Sequence, residues 1–315
     1  MPASFDKTQL FDTIIIGGGG AACSAAIYSV RAGLNTLLVT ESFGGQLMLT
    51  DSIENYPGII KESGFDMASK LENHVRSYKD LKIIQGEKVF KIKKDEGKFK
   101  IITESKKELK GKTIIIATGK IPRKLNIVNA EKFEGNGIHY CGICDGPLYK
   151  GKTMAIIGGG YSGVEEAVFL SGISSKIFLI HNQNELGGEA ITKKQVMDLV
   201  KQGKVEIIYN ALAQEIVGDK TVTGLKYKDS KSGKIKEIKA DAIFVQIGQT
   251  SNTDFIDFVN KNEIKELIID KKNMCSEPGI FAAGDVSDIR VKQLVISCAE
   301  GAKAALSVVD YLKKK

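Results

Sequence analysis

Arginine is scarce in this 315-residue sequence, occurring only at positions 31, 76, 123 and 290, so the basic side of the net charge of +7 is nearly all lysine. The lysines are scattered rather than gathered into a block with interleaved aromatics, which excludes a nucleic-acid surface and leaves a solvated exterior, with some bias toward an acidic protein partner. No apolar run reaches transmembrane length. Residues 1–10 hold no apolar stretch of the signal-peptide kind, so the expected compartment is the cytoplasm, with no membrane partner. Cysteine is also sparse: positions 23, 141, 144, 275 and 298, of which only 141 and 144 are close together. A secreted disulfide framework needs more pairs than that.

What the sequence does have is one plan written twice. Residues 11–16 read as a short buried strand, Gly17-Gly-Gly-Gly-Ala-Ala22 as a turn, 21–32 as a small-residue helix ending at Gly33, and 35–39 as the next strand. Residues 82–103 alternate apolar and charged like a small antiparallel meander, and 113–117 closes the unit as a buried strand. The plan then restarts with a strand at 153–157, a turn at Gly158–Gly163, a helix at 164–171 and a strand at 176–180. A second alternating stretch over 205–245, with a turn at Ser230–Gly233, leads to a closing strand at 241–247. The tail after Gly248 has no second copy, and it includes a strand near 280–285 and a helix near 296–313. The predicted fold is therefore α/β, with two Rossmann-like, three-layer dinucleotide-binding domains, the second inserted in the first. The expected bounds are 1–119 with 248–315 for the first and 120–247 for the second, linked twice in the manner of a hinge.

Gly17-x-Gly19-x-x-Ala22 has the spacing of a dinucleotide fingerprint between a strand and a helix. The first glycine permits the turn, the second lets backbone approach a pyrophosphate, and the small third residue lets helix and strand pack closely. The diphosphate then meets free N–H groups at the positive end of the helix. Glu41, after the next strand, is placed to accept ribose hydroxyls. Gly158-x-Gly160-x-x-Gly163, with Ser162 inside it, repeats the device. The residue after its second strand is His181 rather than a carboxylate, and no arginine lies between Arg123 and Arg290. With each charge-assisted hydrogen bond worth about 1.5–3 kcal/mol, a missing arginine pair weakens a 2′-phosphate contact by roughly a hundredfold, which argues against NADPH and leaves NADH the easier donor. Lys193 or Lys194 substitutes only in part.

Between the two turns lies Cys141-Gly-Ile-Cys144-Asp145. Read as half a zinc site it needs two more ligands; His139 offers one, and no second Cys-x-x-Cys exists, so no metal is expected. The redox reading fits better: the pair can close a disulfide, its thiolate is tunable, and Asp145 can shuttle the proton of thiol–disulfide exchange. Gly284-Asp285 ends the tail strand, where Asp285 either binds a ribityl hydroxyl of a flavin or caps a helix. His74 reads as a surface helix residue, and Cys23, Cys275 and Cys298 as core.

These signatures, in register, resemble the low-molecular-weight thioredoxin reductase family over nearly the whole length. They are Gly17–Ala22, Gly44-Gly45-Gln46, Glu54-Asn55-Tyr-Pro-Gly58, Ala117-Thr118-Gly119, Cys141–Asp145, Gly158–Gly163, Gly284-Asp285 and Lys292-Gln293. The runs 145–152, Val245–Gly248 and Glu300–Ala305 look especially like the flavoprotein subunit of alkyl hydroperoxide reductase, which carries an additional N-terminal thioredoxin-like domain not present in this sequence. The resemblance implies FAD in the first domain, held by Gly17, Gly19, Ala22, Glu41, Gly45, Gln46, Asn55, Thr118, Gly119, Gly284, Asp285, Lys292 and Gln293. It implies a nicotinamide nucleotide, NADH or NADPH, at Gly158, Gly160, Ser162, Gly163 and His181. By the same resemblance Cys144 faces the flavin, Cys141 attacks the partner disulfide and Asp145 is the acid–base residue. The implied partner is thioredoxin or a thioredoxin-like protein, and the implied assembly a homodimer. Lys292-Gln293 replaces the family's Arg-Gln, and His181–Gly187 replaces its arginine-rich phosphate element. Two alternatives stay open: the same disulfide chemistry fed by reduced ferredoxin, and a flavin redox sensor without turnover.

Overall fold

The computed structural model describes residues 9–50 and 53–314. Most of the segment on which the leader expectation rests therefore lies outside the described residues. The chain forms two compact units: one made of the chain up to Ile121 together with Thr250 onward, the other of Pro122–Gln249.

In the first unit, β1 (Leu10–Ile16), α1 (Gly20–Arg31) and β2 (Thr36–Thr40) make the opening βαβ. There follow α2 (Gly64–Arg76), β3 (Lys82–Gln85), β4 (Val89–Asp95), β5 (Lys98–Thr103), β6 (Glu108–Ile116) and β7 (Lys120–Pro122). The sheet order is β3-β2-β1-β6-β5-β4. β6 serves two partners along one edge: its first half pairs antiparallel with β5, as in Phe99↔Gly111, and its second half pairs parallel with the late strand β17, as in Ile115↔Phe281. The isoleucines alternate between two cores. Ile14, Ile16, Ile114 and Ile116 pack on one face, Ile15 and Ile115 on the other, as a period-2 strand buried on both sides requires.

The second unit holds α3 (Ala130–Phe133), β8 (Ile138–His139), α4 (Gly142–Asp145), β9 (Thr153–Ile157), α5 (Tyr161–Ser171), β10 (Lys176–Ile180), α6 (Ala190–Lys201) and β11 (Val205–Ile208). β12 (Ala211–Gly218), β13 (Val222–Asp229), β14 (Ile235–Lys239) and β15 (Ala242–Val245) follow. β11-β10-β9-β15-β8 is an all-parallel sheet, and β12-β13-β14 a separate antiparallel one. Met154 and Ile156 pack under α5 and α6, and Ala155 and Ile157 face the antiparallel sheet. β16 (Gln249–Ser251) pairs with β7 where the chain passes between units, and β17 (Ile280–Ala282) and α7 (Leu294–Lys313) complete the chain. Among the described residues no helix is long and apolar enough to cross a membrane.

Each alternating stretch gives up its first strand to the neighbouring parallel sheet. β3 joins β2 (Leu38↔Ile83) and β11 joins β10 (Leu179↔Ile207), so neither belongs to the antiparallel meander expected from its pattern. The helix expected at 164–171 begins three residues earlier, at Tyr161, because the glycine turn runs straight into it.

Candidate active site

The two glycine turns are built alike, residue for residue. Gly17 N–H donates to Val39 O (2.9 Å), and Gly158 N–H to Ile180 O (2.8 Å). Both have a positive φ, +130° and +116°, and a Cβ on either would lie 2.2 Å from Ala117 O or 2.0 Å from Gln246 O. Only glycine serves there. The third position needs a small residue for a different reason: a Cβ on Gly163 would stand 1.8 Å from Gly158 O, whereas Ala22 at the matching position is fully buried. The middle glycines differ from both. The nearest atom to a Cβ on Gly19 is 3.9 Å away, and Gly160 has nothing within 4 Å. Each turn therefore keeps an open cradle of backbone in front of its second glycine, at the start of α1 or α5, where a dinucleotide's pyrophosphate is bound in this motif. The residues present fit the cofactors that the sequence leads one to expect.

The other residues expected around FAD all fall in the first unit, in several separate networks. Glu41 is exposed just after β2. Gly45 lies close against Gly19, and Gln46 Nε2 donates to Lys120 O (2.7 Å). Thr118 Oγ1 donates to Asn252 O (2.7 Å), and Gly119 has φ +61°. Asn55 Nδ2 donates to Gln293 Oε1 (3.1 Å), tying two of the expected positions together. Gly284 has φ +76° and leaves β17 for a 3-10 turn over Gly284–Val286, in which Asp285 accepts from Ser297 Oγ (3.0 Å) rather than capping α7. Lys292 is turned inward. Its ammonium pairs with Glu266 (2.9 Å), which also holds Lys120 (2.9 Å), and it donates to Ser287 O. Burial alone raises the Glu266 pKa, but hydrogen bonds from Lys120, Lys292 and Asn262 outweigh it and hold the carboxyl below its ordinary value.

In the second unit His181 is buried and locked. Its Nδ1 accepts from Gly159 N–H (3.1 Å), and Nε2 lies 2.9 Å from Glu185 O. Ser162 is exposed at the start of α5, where Tyr161 donates to Glu189 (3.0 Å). The sequence did not single out Gly187-Gly188, yet Gly187 N–H donates to Gly159 O (2.8 Å) just as Gly44 N–H donates to Gly18 O (2.9 Å). The available signal was a second Gly-Gly pair following the second strand of the βαβ unit.

Cys141 and Cys144 are joined as a disulfide, with Cα atoms 5.4 Å apart. The four-residue helix α4 brings them together: Cys141 is its N-cap, and the Cys144 N–H donates to Cys141 Sγ (3.1 Å). Cys144 is exposed and Cys141 half-buried. Asp145 accepts from or pairs with His139 Nδ1 at 3.1 Å, and His139 Nε2 lies 3.0 Å from Tyr149 Oη. His139 is thus a partner of the acid beside the disulfide, and its ring stacks on Phe244 (5.6 Å between centroids). One further group was missed by sequence reasoning. Glu166 on α5 is buried beneath α4, and neither of its carboxyl oxygens completes a hydrogen bond. Burial pushes its pKa up to about 7, with Asp145 adding to the rise and Gln246 and the Gly142 N–H opposing it. Cys23 and Cys275 are buried, and burial pushes both thiols up to about 12, so they stay protonated at neutral pH.

Residues 11–302 match the family described as pyridine nucleotide-disulphide oxidoreductase. The chain belongs to that family. Membership implies FAD and a nicotinamide nucleotide, and oxidoreductase chemistry. The chain is 40% identical over 311 residues to an alkyl hydroperoxide reductase subunit of Staphylococcus aureus (strain MRSA252), a match covering 98% of this chain and 61% of that protein. It therefore spans about three-fifths of the length of such relatives. Thioredoxin reductase of Lactococcus lactis superposes with a TM-score of 0.90 at 31% identity, covering 97% of this chain and all (100%) of the other. Thioredoxin reductase of T. acidophilum superposes with a TM-score of 0.88 at 34% identity, covering 97% and 99%. The two-domain Rossmann-like fold of these reductases is the fold of this chain.

Proposed function

We propose that this family member is a thioredoxin-disulfide reductase, taking electrons from NADH and passing them through Cys141–Cys144 to thioredoxin or a thioredoxin-like protein. The observation that carries the reading is the closed Cys141–Cys144 bridge beside the Asp145–His139 pair, in a unit that also holds an open glycine cradle. Bound FAD supplies two-electron transfer between a dihydronicotinamide and a disulfide. Glu41 and the Gly17–Ala22 turn would hold its adenosine diphosphate half. Two electrons break the Cys141–Cys144 bond. In this reading Cys144 is the sulfur on the flavin side, and Cys141 attacks the partner's disulfide to form a mixed disulfide that Cys144 then resolves. Asp145, held by His139, takes and returns the proton each exchange requires.

The reductases of known structure named above support thioredoxin as the partner. NADH is favoured over NADPH because His181 is fixed to the protein by both ring nitrogens and no arginine lies between Arg123 and Arg290. The reading takes the protein as a cytoplasmic homodimer, which light scattering on the purified chain checks for assembly. The deciding experiment is anaerobic mixing of the FAD-loaded protein with NADH and with NADPH, following flavin bleaching, and then turnover with a thioredoxin-like protein. Bleaching by NADH and turnover support the proposal. Bleaching only by reduced ferredoxin replaces the donor, and bleaching without turnover on any thioredoxin-like protein makes the chain a flavin redox sensor.

A further inference from the structure

The redox loop does not lie on an inert helix. α4 and the 3-10 turn that follows it pack against α5 through two glycines four residues apart. A Cβ on Gly142 would stand 2.3 Å from Glu166 Oε1, and one on Gly146 2.5 Å from Leu170 Cδ2. Glu166 and Leu170 are themselves four apart, so they share one face of α5. The loop that carries the disulfide thus rests on a carboxyl group at one step and a leucine at the next. The carboxyl touches Gly142, one of the two residues between the cysteines, at 8% exposure, with both oxygens buried and short of full hydrogen-bond geometry with the Gln246 amide and Gly142 N–H that oppose its pKa rise. A permanently ionised group in such a place costs several kcal/mol, and a purely structural role would be served better by a second leucine.

We propose that Glu166 is a positioning residue for the Cys141–Cys144 pair, a buried acid beneath the disulfide whose ionisation, once the bond is reduced, is coupled to that of the nearby thiolate. The inference rests on the reading of this pair as the working redox centre. Two-electron reduction breaks the sulfur–sulfur bond and yields two thiolates; uptake of one proton leaves one thiol and one thiolate, and of two protons a dithiol. The reductant is the reduced flavin of the proposed activity, or dithiothreitol in the test. A thiolate one residue from Glu166 is tolerated while the acid is neutral and opposed by like charge once it ionises, so the two groups titrate as a pair.

The surroundings leave Glu166 little else to titrate with. On α4 it faces Asp145, which is itself held by His139 of β8. At the end of β15 it faces Gln246, whose amide donates to Tyr140 O. β9 offers no charge, and on β10 Lys176 pairs with Glu206. On its own helix Glu165 lies on the exposed side with Tyr161. On α6 Lys201 pairs with Asp198, and Lys193 and Lys194 are not among the groups that move it. No cation among the described residues completes an ion pair with Glu166.

The test uses FAD-loaded protein reduced with dithiothreitol, desalted anaerobically and alkylated with iodoacetamide from pH 5.5 to 9.5, with modification of Cys141 and Cys144 read by peptide mass spectrometry. The wild-type rate profile should show an extra inflection near pH 7, where Glu166 ionises. In Glu166→Gln, which keeps shape and stays neutral, that inflection disappears and alkylation at pH 8 is faster by about threefold to tenfold. Superimposable profiles overturn the proposal. Should Glu166→Gln not fold, infrared spectra of the Glu165→Gln variant answer instead: a protonated carboxyl band at pH 6 that is lost around pH 7 supports the proposal, and its absence at pH 6 overturns it. A disulfide that dithiothreitol cannot reduce overturns the proposal and the functional reading together. The expected alkylation profile without turnover on thioredoxin-like proteins supports the role of Glu166 and sinks only the choice of partner.

Discussion

Replacing Gly19 by alanine should separate the fold from the cofactor. Gly19 caps α1 with φ −84° and ψ −172°, an extended conformation open to any residue. A methyl there meets nothing nearer than Gly44 O at 3.9 Å, so the folded protein has room for it. Alanine is a poorer N-cap than glycine, by about 0.5–1 kcal/mol, and restricts the unfolded chain, which returns about 0.4–1 kcal/mol. The apoprotein's stability should therefore change by less than about 1 kcal/mol. FAD is another matter, because the methyl fills the space through which a diphosphate reaches the N–H groups of the turn. Losing two charge-assisted hydrogen bonds at about 1.5–3 kcal/mol each weakens binding by roughly 10²–10⁴-fold. The control is Gly17→Ala, two residues away, where φ is +130° and the methyl would stand 2.2 Å from Ala117 O; it should destabilise the apoprotein by about 2–4 kcal/mol. The chain has no tryptophan, so unfolding is best followed by circular dichroism and FAD binding by quenching of flavin fluorescence. Wild-type FAD affinity in Gly19→Ala, or an apoprotein of Gly17→Ala as stable as the wild type, would refute the reasoning.

Cys141→Ser should abolish disulfide turnover and leave FAD bound, as read by absorbance and a thioredoxin-type assay; retained turnover removes Cys141 from the mechanism. Glu166 has a folded pKa of about 7 against an ordinary 4.5, so its contribution to stability is fully present below pH 4.5 and is lost as pH rises through 7. Relative to Glu166→Gln, the wild type should lose on the order of 2–3 kcal/mol between pH 4.5 and 8 in urea unfolding, and parallel pH profiles would show that the carboxyl is not buried as described. Introducing Asn182→Arg and Gln183→Arg on the exposed segment after β10 should raise the NADPH-to-NADH ratio of flavin reduction rates by about tenfold to a hundredfold; an unchanged ratio would place the adenosine end of the nucleotide elsewhere.

The parts of this fold that were legible were those buried on both faces. Residues 153–157 and 176–180 read as strands because a central parallel strand is an uninterrupted apolar block, and β9 and β10 have those bounds. β3 and β11 were harder. Lys82-Ile-Ile-Gln85 and Val205-Glu-Ile-Ile208 are edge strands, each half wet, and their alternation matches that of the antiparallel strands that follow them. Pattern shows the pleat of a strand but not the direction of its neighbour. The Cys-x-x-Cys pair was plain from spacing alone, while the acid beneath it was not. Val164-Glu-Glu-Ala167 looks like an ordinary solvent-facing helix turn until Gly142 and Gly146 bring α4 down onto it. Nothing local to Glu166 signals burial; the signal is a pair of glycines twenty-odd residues upstream.

His181 makes the same point at the nucleotide cradle. In the first unit three residues separate the end of β2 from Gly44, and the first of them, Glu41, is exposed. In the second unit six residues separate the end of β10 from Gly187, and the first of them, His181, is buried against Gly159. The longer loop nonetheless closes with the same hydrogen bond, Gly187 N–H to Gly159 O at 2.8 Å against Gly44 N–H to Gly18 O at 2.9 Å. The additional residues are therefore accommodated outward, where Asn182, Gln183, Asn184 and Glu185 are all exposed. A bulge of that kind leaves the glycine turn unchanged but, under the proposed nucleotide site, would change what meets the adenosine ribose, since a ring whose nitrogens are both engaged has no acceptor left for a hydroxyl. Two turns with one backbone geometry thus differ in the side chains that follow the second strand, and under the donor assignment proposed above it is this loop, rather than the glycines, that would discriminate between NADH and NADPH.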